Sequence, residues 1–122
     1  MPTRRLVRDP SDAALLKARH GTIQLTGASA SLCGAKRGFS ALAVGKFGLR
    51  ALAQSMAREF GPQGIHVSHV IIDGQIDTPR IRTMMPDREE HTLLSPDAIA
   101  ETYWQLHAQD RFAWTLELGL RP

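Results

Sequence analysis

The stretch "FSALAVGKFGLRALAQSMAREFGPQGIHVSHVII", residues 39–72, decides the fold class. From Phe39 to Phe60, residues that would share one helical face recur every three or four positions: Leu42, Lys46, Leu49, Ala53, Met56 and Phe60. "GPQG" at 61–64 is typical of a helix end. "IHVSHVII" at 65–72 finishes in the continuous Val/Ile run of a buried parallel strand. The stretch therefore predicts a long helix that leads into a parallel strand.

Flanking segments extend this alternation. "TIQLT" at 22–26 and "FAWTLELGL" at 112–120 are β-prone runs, and "SPDAIAETYWQLHAQ" at 95–109 is a helical segment. Ser95 is its predicted N-cap, and Pro96 fits the first helical position. The order strand, helix, strand, helix, strand predicts βαβ crossovers, so the expected fold is α/β with a parallel sheet.

The rest of the chain is less regular. We expect a short helix in "AALLKAR", which Ser11 or Asp12 would cap, and a loop over the Gly- and Ser-rich residues 27–38. The polar, Met-rich segment 80–94 has no clear period, which favours a mobile flap. Residues 1–10 form an irregular basic N-terminal tail, and residues 11–122 form one domain.

Composition excludes several classes of protein. The chain has 122 residues, of which 43% are hydrophobic and 22% charged, as in ordinary globular domains. It contains no run of about 18 apolar residues, so no membrane span is expected. The N-terminal segment lacks the apolar core of a signal peptide, and the single cysteine, Cys33, fits a reducing compartment. A cytoplasmic location is therefore expected.

Charge and histidine spacing argue against nucleic acid and metal ions as partners. The net charge is +3, but basic residues are spread along the chain and cluster only at Arg4, Arg5 and Arg8. This pattern predicts a basic tail rather than a nucleic-acid interface. His66 and His69 would point to opposite faces of a strand, and no zinc-ligand spacing occurs, so no metal site is expected.

One lysine stands apart from the other charges. Lys46 is the only charged residue between Arg37 and Arg50. Alone it indicates a side chain whose stem packs while its ammonium reaches water. However, Ser29 follows a predicted strand seventeen residues earlier, and the turn "DGQIDTP", residues 73–79, follows the next strand.

This arrangement resembles the C-terminal half of a short-chain dehydrogenase/reductase. The family pattern is a serine after the fifth strand, Tyr-x-x-x-Lys on a long helix, and a Pro-Gly-x-x-x-Thr turn after the sixth strand. Ser29, in "TGASAS", matches the serine of this pattern, and Lys46 matches its lysine. "VSHVIIDGQIDT" matches the sixth strand and its turn. Gly74 is the glycine of the turn, Thr78 is the threonine, and Asp73 takes the place of the proline. "LRALAQSMAREFGPQGIHV" is the most specific stretch, and the likeness is closest to a divergent bacterial subgroup that often has phenylalanine for the tyrosine.

The resemblance covers residues 13–120, about half of such an enzyme. It implies a partial Rossmann-like, doubly wound sheet with only the C-terminal strands and helices. It also implies NAD or NADP as cofactor and hydride transfer on a carbonyl or alcohol. Its catalytic residues would be Ser29, which orients the substrate oxygen, and Lys46, which lowers the tyrosine pKa. Its cofactor-binding residues would be Lys46, Gly74, Ile76 and Thr78.

Two family features are missing from the sequence. Leu42 occupies the tyrosine position and has no proton to give, while the only tyrosine, Tyr103, lies in another helix. No G-x-G-x-x-G loop precedes a helix, so the adenosine half of a dinucleotide has no visible site. We expect Tyr103 and Trp104 to pack in the core or an interface, since they share helical spacing with Ile99 and Leu106.

Two interpretations remain open. The first is a truncated, catalytically impaired NAD(P)-dependent oxidoreductase with a small carbonyl or alcohol substrate. The second is a non-catalytic binding or dimerisation module, or a gene remnant. The resemblance adds a homo-oligomer through the helix at 39–60, because that helix forms part of the dimer interface in the family.

Overall fold

The structure is a computed structural model, and it describes residues 14, 15, 17–28 and 40–122. Its elements in order are β1 Gly21–Ala28, α1 Ser40–Phe60, a 3-10 turn Gly61–Gln63, β2 Ile65–Ile72, β3 Gln75–Ile76, α2 Pro79–Met84, a 3-10 turn Glu90–Thr92, β4 Leu93–Leu94, α3 Pro96–His107 and β5 Glu117–Leu120. Ser29, Cys33, the basic tail and most of the loop predicted at 27–38 lie outside the described residues.

The main sheet has three parallel strands in the order β1-β2-β5. β1 and β2 pair over their whole length, from Gly21 opposite Ile65 to Ala28 opposite Ile72. All eight residues of the central strand β2 are buried. The predicted α/β fold with a parallel sheet is confirmed.

Helices α1 and α3 cover opposite faces of this sheet. Ile23 and Leu25 of β1 pack against the core cluster that α1 forms with β2, namely Met56, Phe60, Ile65 and Val67. Gln24, between them, donates from its side chain to the main-chain oxygen of Tyr103 on α3 at 2.8 Å. Because successive strand residues face opposite sides, the molecule has three layers, helix on sheet on helix.

The predicted buried face of α1 is confirmed for Ala53, Met56 and Phe60. Leu42 is an exception, with 48% of its surface exposed. It lies one turn before Lys46, whose side chain reaches the end of β1. The described strands end there, so nothing in the described sheet covers Leu42.

Helix ends follow the predicted signals. Gly64 has φ of 89°, and a Cβ there would lie 2.2 Å from the main-chain oxygen of Arg19, so this position requires glycine. Ser95 accepts a hydrogen bond from the Ala98 amide, and Pro96 begins α3. Both predictions at the start of α3 are confirmed.

Three sequence predictions need correction. The last strand covers Glu117–Leu120 rather than 112–120, because the side chain of Gln109 bonds Thr115 and holds the preceding segment as a loop. Segment 80–94 is not irregular throughout, since it contains most of α2 and all of β4, which pairs with β3. Trp104 is 62% exposed, so the core alternative is wrong for it, and packing in an interface stays a prediction.

Other α3 residues pack as expected. Leu106 is buried, and Ile99 and Tyr103 contact the second core cluster, formed by Val70, Ile72, Leu94 and Leu106. In the described part of the chain, no helix has the length and apolar character needed to cross a membrane.

Candidate functional site

Lys46 lies on α1 at the carboxyl edge of the sheet. Its Nζ donates to the main-chain oxygen of Thr26 at 3.3 Å, two residues before β1 ends. The side chain is half-buried. In open parallel sheets this edge is where ligands bind, so the isolated lysine is placed on the side where a cofactor would be held.

Leu42 and Lys46 line one cavity of about 330 Å³, with Ala41, Gly45 and Leu49. The helix therefore places residue 42 directly beside the lysine, as a Tyr-x-x-x-Lys spacing requires. Among the described residues, Lys46 is the only polar side chain that lines this cavity. Leu42 leaves the lysine without a neighbouring phenol.

The turn after β2 begins at the same edge, because Ile72 pairs with Ala28 at the end of β1. Gly74 has φ of 151°, and a Cβ there would lie 3.1 Å from Pro122 and 3.4 Å from Leu94. A side chain at this position would be both strained and crowded. The predicted turn at Gly74 is confirmed as a backbone feature that favours glycine.

Ile76 and Thr78 continue this turn. Ile76 belongs to β3 and packs against the second core cluster. The Thr78 hydroxyl accepts a hydrogen bond from the Ile81 amide at 3.3 Å and caps α2. As an acceptor there, the hydroxyl still has its own proton to donate elsewhere.

The structure brings the turn residues together in one open groove of about 630 Å³. Its lining consists of Gly74, Gln75, Ile76, Thr78, Arg80, Ile81, Met84 and Met85. The groove thus joins the three predicted turn residues to the two methionines of the predicted flap. Lys46 lines a different cavity.

An ion pair that the sequence analysis missed fixes the start of α2. Arg82 donates from Nε and Nη2 to the two carboxylate oxygens of Asp77, at 2.6 and 2.7 Å, and lies 3.6 Å from Glu90. The hydrogen bond from Arg82 lowers the pKa of Asp77, and the same bond raises the pKa of Arg82 above its usual value. Asp77 and Arg82 are five positions apart, whereas side-chain pairs on a helix are three or four apart, so the sequence did not indicate this pair.

A second missed network crosses the sheet on the α1 side. Arg50 donates to both carboxylate oxygens of Glu117, at 2.9 and 3.1 Å. His69, which is 1% exposed, lies with Nδ1 3.1 Å from Glu117 Oε2. Partial burial raises the pKa of Glu117, but hydrogen bonds from Arg50 and His69 outweigh it, and the pKa lies below its usual value.

Tyr103 does not replace the missing phenol. Its hydroxyl is hydrogen-bonded to the Thr26 side chain on the face that α3 covers. Lys46 approaches from α1, on the opposite face. The sheet therefore separates the chain's only tyrosine from the lysine that a catalytic tyrosine would need beside it.

The two strand histidines do lie on opposite faces. His66 stacks on Trp114, whereas His69 faces Glu117. No group of three metal-ligating side chains occurs among the described residues. The predicted catalytic residue Ser29 lies outside the described residues.

The nicotinamide and ribose half of a dinucleotide fits this edge. The groove has a volume of about 630 Å³, and the Thr78 hydroxyl that lines it has a proton to donate. Lys46 lies at the same edge of the sheet, where its ammonium reaches the end of β1. No element in the described part of the chain supplies the glycine-rich turn that would hold the pyrophosphate.

No protein-family model matches the chain, and no curated protein matches it. Solved structures do. A short-chain dehydrogenase from Rhodopseudomonas palustris is 46% identical, with a TM-score of 0.70 over 92% of this chain and 43% of its own. ElxO with NADP bound is 19% identical, with a TM-score of 0.74 over 89% of this chain and 48% of its own. 4-Hydroxyisoleucine dehydrogenase complexed with NADH is 24% identical, with a TM-score of 0.69 over 89% of this chain and 48% of its own. The chain spans less than half the length of each.

Proposed function

Because the chain belongs to the short-chain dehydrogenase/reductase family over the part of that fold which it spans, we propose that its carboxyl edge is the nicotinamide side of an NAD(P)-dependent oxidoreductase. The substrate would be a small carbonyl compound or alcohol. The catalytic rate would be low, because Leu42 stands where the proton donor belongs.

The observation that carries this proposal is the position of Lys46. Its ammonium reaches the end of β1, and the groove with Gly74, Ile76 and Thr78 begins where the paired strand β2 ends. These are the residues that the family motif assigns to the nicotinamide half, and the fold gathers them at one sheet edge.

When bound, the cofactor would supply or accept the hydride. Lys46 would donate hydrogen bonds to the ribose hydroxyls, and the backbone around Ile76 would contact the carboxamide. Thr78 would donate to a phosphate oxygen, and Ser29 would orient the substrate oxygen. Leu42 has no proton to exchange, and loss of general acid–base help typically costs about 10²–10⁴ in rate.

Calorimetric titration with NADPH and NADH tests the proposal. The wild type should bind at least one of them, Lys46→Ala should weaken binding, and Lys17→Ala should leave it unchanged. Lys17 is a matched control because it is an exposed lysine that precedes β1, at the opposite end of that strand. Absence of binding at millimolar cofactor, or an equal effect of both variants, would contradict the proposal.

A second candidate function is dimerisation through α1. Val44 and Phe47 are 74% and 40% exposed, and with Ala51 they form an apolar stripe at i, i+3 and i+7 on the outer side of the helix. Phe47→Glu should then convert a dimer to a monomer in sedimentation analysis. Ala100→Glu, an exposed alanine on α3, should not. A monomeric wild type would exclude this function.

A further inference from the structure

A separate cavity of about 270 Å³ lies at the amino edge of the sheet, where β1 and β2 begin. It is lined by Arg19, His20, Gly21, Thr22, Gly64, His66, His107, Gln109, Arg111 and Trp114. Gly21 is the first residue of β1, and Gly64 immediately precedes β2. The Lys46 cavity and the turn groove lie at the opposite edge.

The lining of this amino-edge cavity is strongly basic. Among the described residues it contains Arg19 and Arg111, three histidines, and no aspartate or glutamate. Neither arginine has an ion-pair partner among the residues that the structure describes. Both arginines therefore line a concave site in which no described residue supplies a counter-charge.

Gly64 lies between the two arginine-bearing segments. A Cβ on Gly64 would lie 2.2 Å from the main-chain oxygen of Arg19 and 3.7 Å from Nη1 of Arg111. Gly64 also has φ of 89°, which favours glycine. The close approach of the Arg19 backbone thus depends on a residue without a side chain, whereas the separation from Arg111 is an ordinary van der Waals contact.

Hydrogen bonds fix the loop that supplies Arg111 and Trp114. The Gln109 side chain donates to the Thr115 hydroxyl and accepts from the Thr115 amide, both at 2.8 Å. His66, which is 2% exposed, donates from Nε2 to the main-chain oxygen of Thr115 at 2.8 Å. These bonds tie both ends of the loop to each other and to the central strand.

Ring contacts and one more side-chain hydrogen bond complete the walls. Trp114 stacks on His66 with ring centroids 4.8 Å apart and planes 5° from parallel. His107 and Thr22 are hydrogen-bonded at 2.7 Å, which connects α3 to β1. The site is therefore built from several elements and held in place before a ligand arrives.

We propose that this amino-edge cavity binds a small phosphate monoester. Arginine matches phosphate oxygens in bidentate geometry. Near neutral pH a phosphate monoester carries close to two negative charges, which the two guanidinium groups would balance. A carboxylate carries only one. The site lies at the opposite sheet edge from the proposed cofactor residues, so the proposal does not depend on the proposed function.

Calorimetry with phenyl phosphate and benzoate tests the proposal, because the two probes share a ring and differ in the charged group. Phenyl phosphate should bind the wild type more tightly than benzoate. Arg19→Gln and Arg111→Gln should each weaken phenyl phosphate binding about tenfold or more, as expected for a lost charge-assisted hydrogen bond. Arg58→Gln should not, since Arg58 is exposed near the end of α1 and does not line the site.

Circular dichroism of each variant should match the wild type, so that lost binding reports the site and not the fold. A Lys46→Ala variant should retain phenyl phosphate binding, which separates this cavity from the proposed cofactor site. The proposal is overturned if phenyl phosphate does not bind, if benzoate binds equally well, or if Arg58→Gln weakens binding as much as the cavity variants do.

Discussion

Tyr103 and Thr26 are joined hydroxyl to hydroxyl across the face of the sheet that α3 covers. The main-chain oxygen of the same threonine accepts from Lys46 on the other helix. Thr26 thus links both helical layers to the end of β1. The chain's only tyrosine has a structural partner there and is not available to the lysine.

The hydroxyl pair should contribute to stability. Tyr103→Phe and Thr26→Val should each lower the free energy of unfolding by about 0.5–1.5 kcal/mol, the usual net value of one hydrogen bond. Urea unfolding of the two single variants and the double variant measures the coupling. The double variant should lose less than the sum of the single losses. Strict additivity would show that the two hydroxyls do not interact.

Local sequence patterns were sufficient for the main elements. The period of α1 and the Val/Ile run of β2 are encoded within the segments themselves, and the stop at residues 61–64 needs only the proline and glycines. The strand–helix alternation then permits few arrangements other than a parallel sheet. The resemblance to the family, rather than the alternation, connected Lys46 with the turn at Gly74.

Features that depend on distant residues could not be predicted. Arg50 and Glu117 are 67 positions apart, and only the finished sheet brings them together. The β3–β4 pair consists of two residues on each strand, too short for any periodic signal. The exposure of Leu42 depends on where the strands end, whereas the helical period alone placed it on the buried face.

Two phenylalanines test the position of the core. Phe60 is 1% exposed and packs in the cluster between α1 and β2, whereas Phe112 is 94% exposed. Phe60→Ala should lower the free energy of unfolding by about 3–5 kcal/mol, because it removes buried surface and leaves a cavity. Phe112→Ala should change it by less than about 0.5 kcal/mol. Similar losses in urea unfolding would refute the assigned core.

Glu117 should make stability depend on acid pH. The pKa of Glu117 is lowered in the folded protein, so its contribution is present above the unfolded glutamate pKa of about 4.3 and is lost as pH falls through the lower folded value. Glu117→Gln should cost about 1–3 kcal/mol at pH 7, since it leaves Arg50 and the buried His69 without their carboxylate.

The acid-dependent loss should shrink in Glu117→Gln, because glutamine does not titrate. Glu101→Gln, an exposed change on α3, should retain the wild-type pH profile. Urea unfolding at pH 7, 5 and 3 compares the three proteins. If the Glu117 variant kept the full acid dependence of the wild type, other carboxylates would account for it.

Leu42→Tyr tests whether Lys46 can still tune a neighbouring phenol. In a Tyr103→Phe background the introduced phenol is the only one, and its absorbance gives its pKa directly. The lysine one helical turn away should hold this pKa below the usual value of about 10. Adding Lys46→Gln should return it toward that value, and Val44→Tyr on the outer side of α1 should show no lysine effect. If Lys46→Gln left the pKa of the introduced phenol unchanged, the spacing of residues 42 and 46 would carry no chemistry, whether or not the chain binds a cofactor.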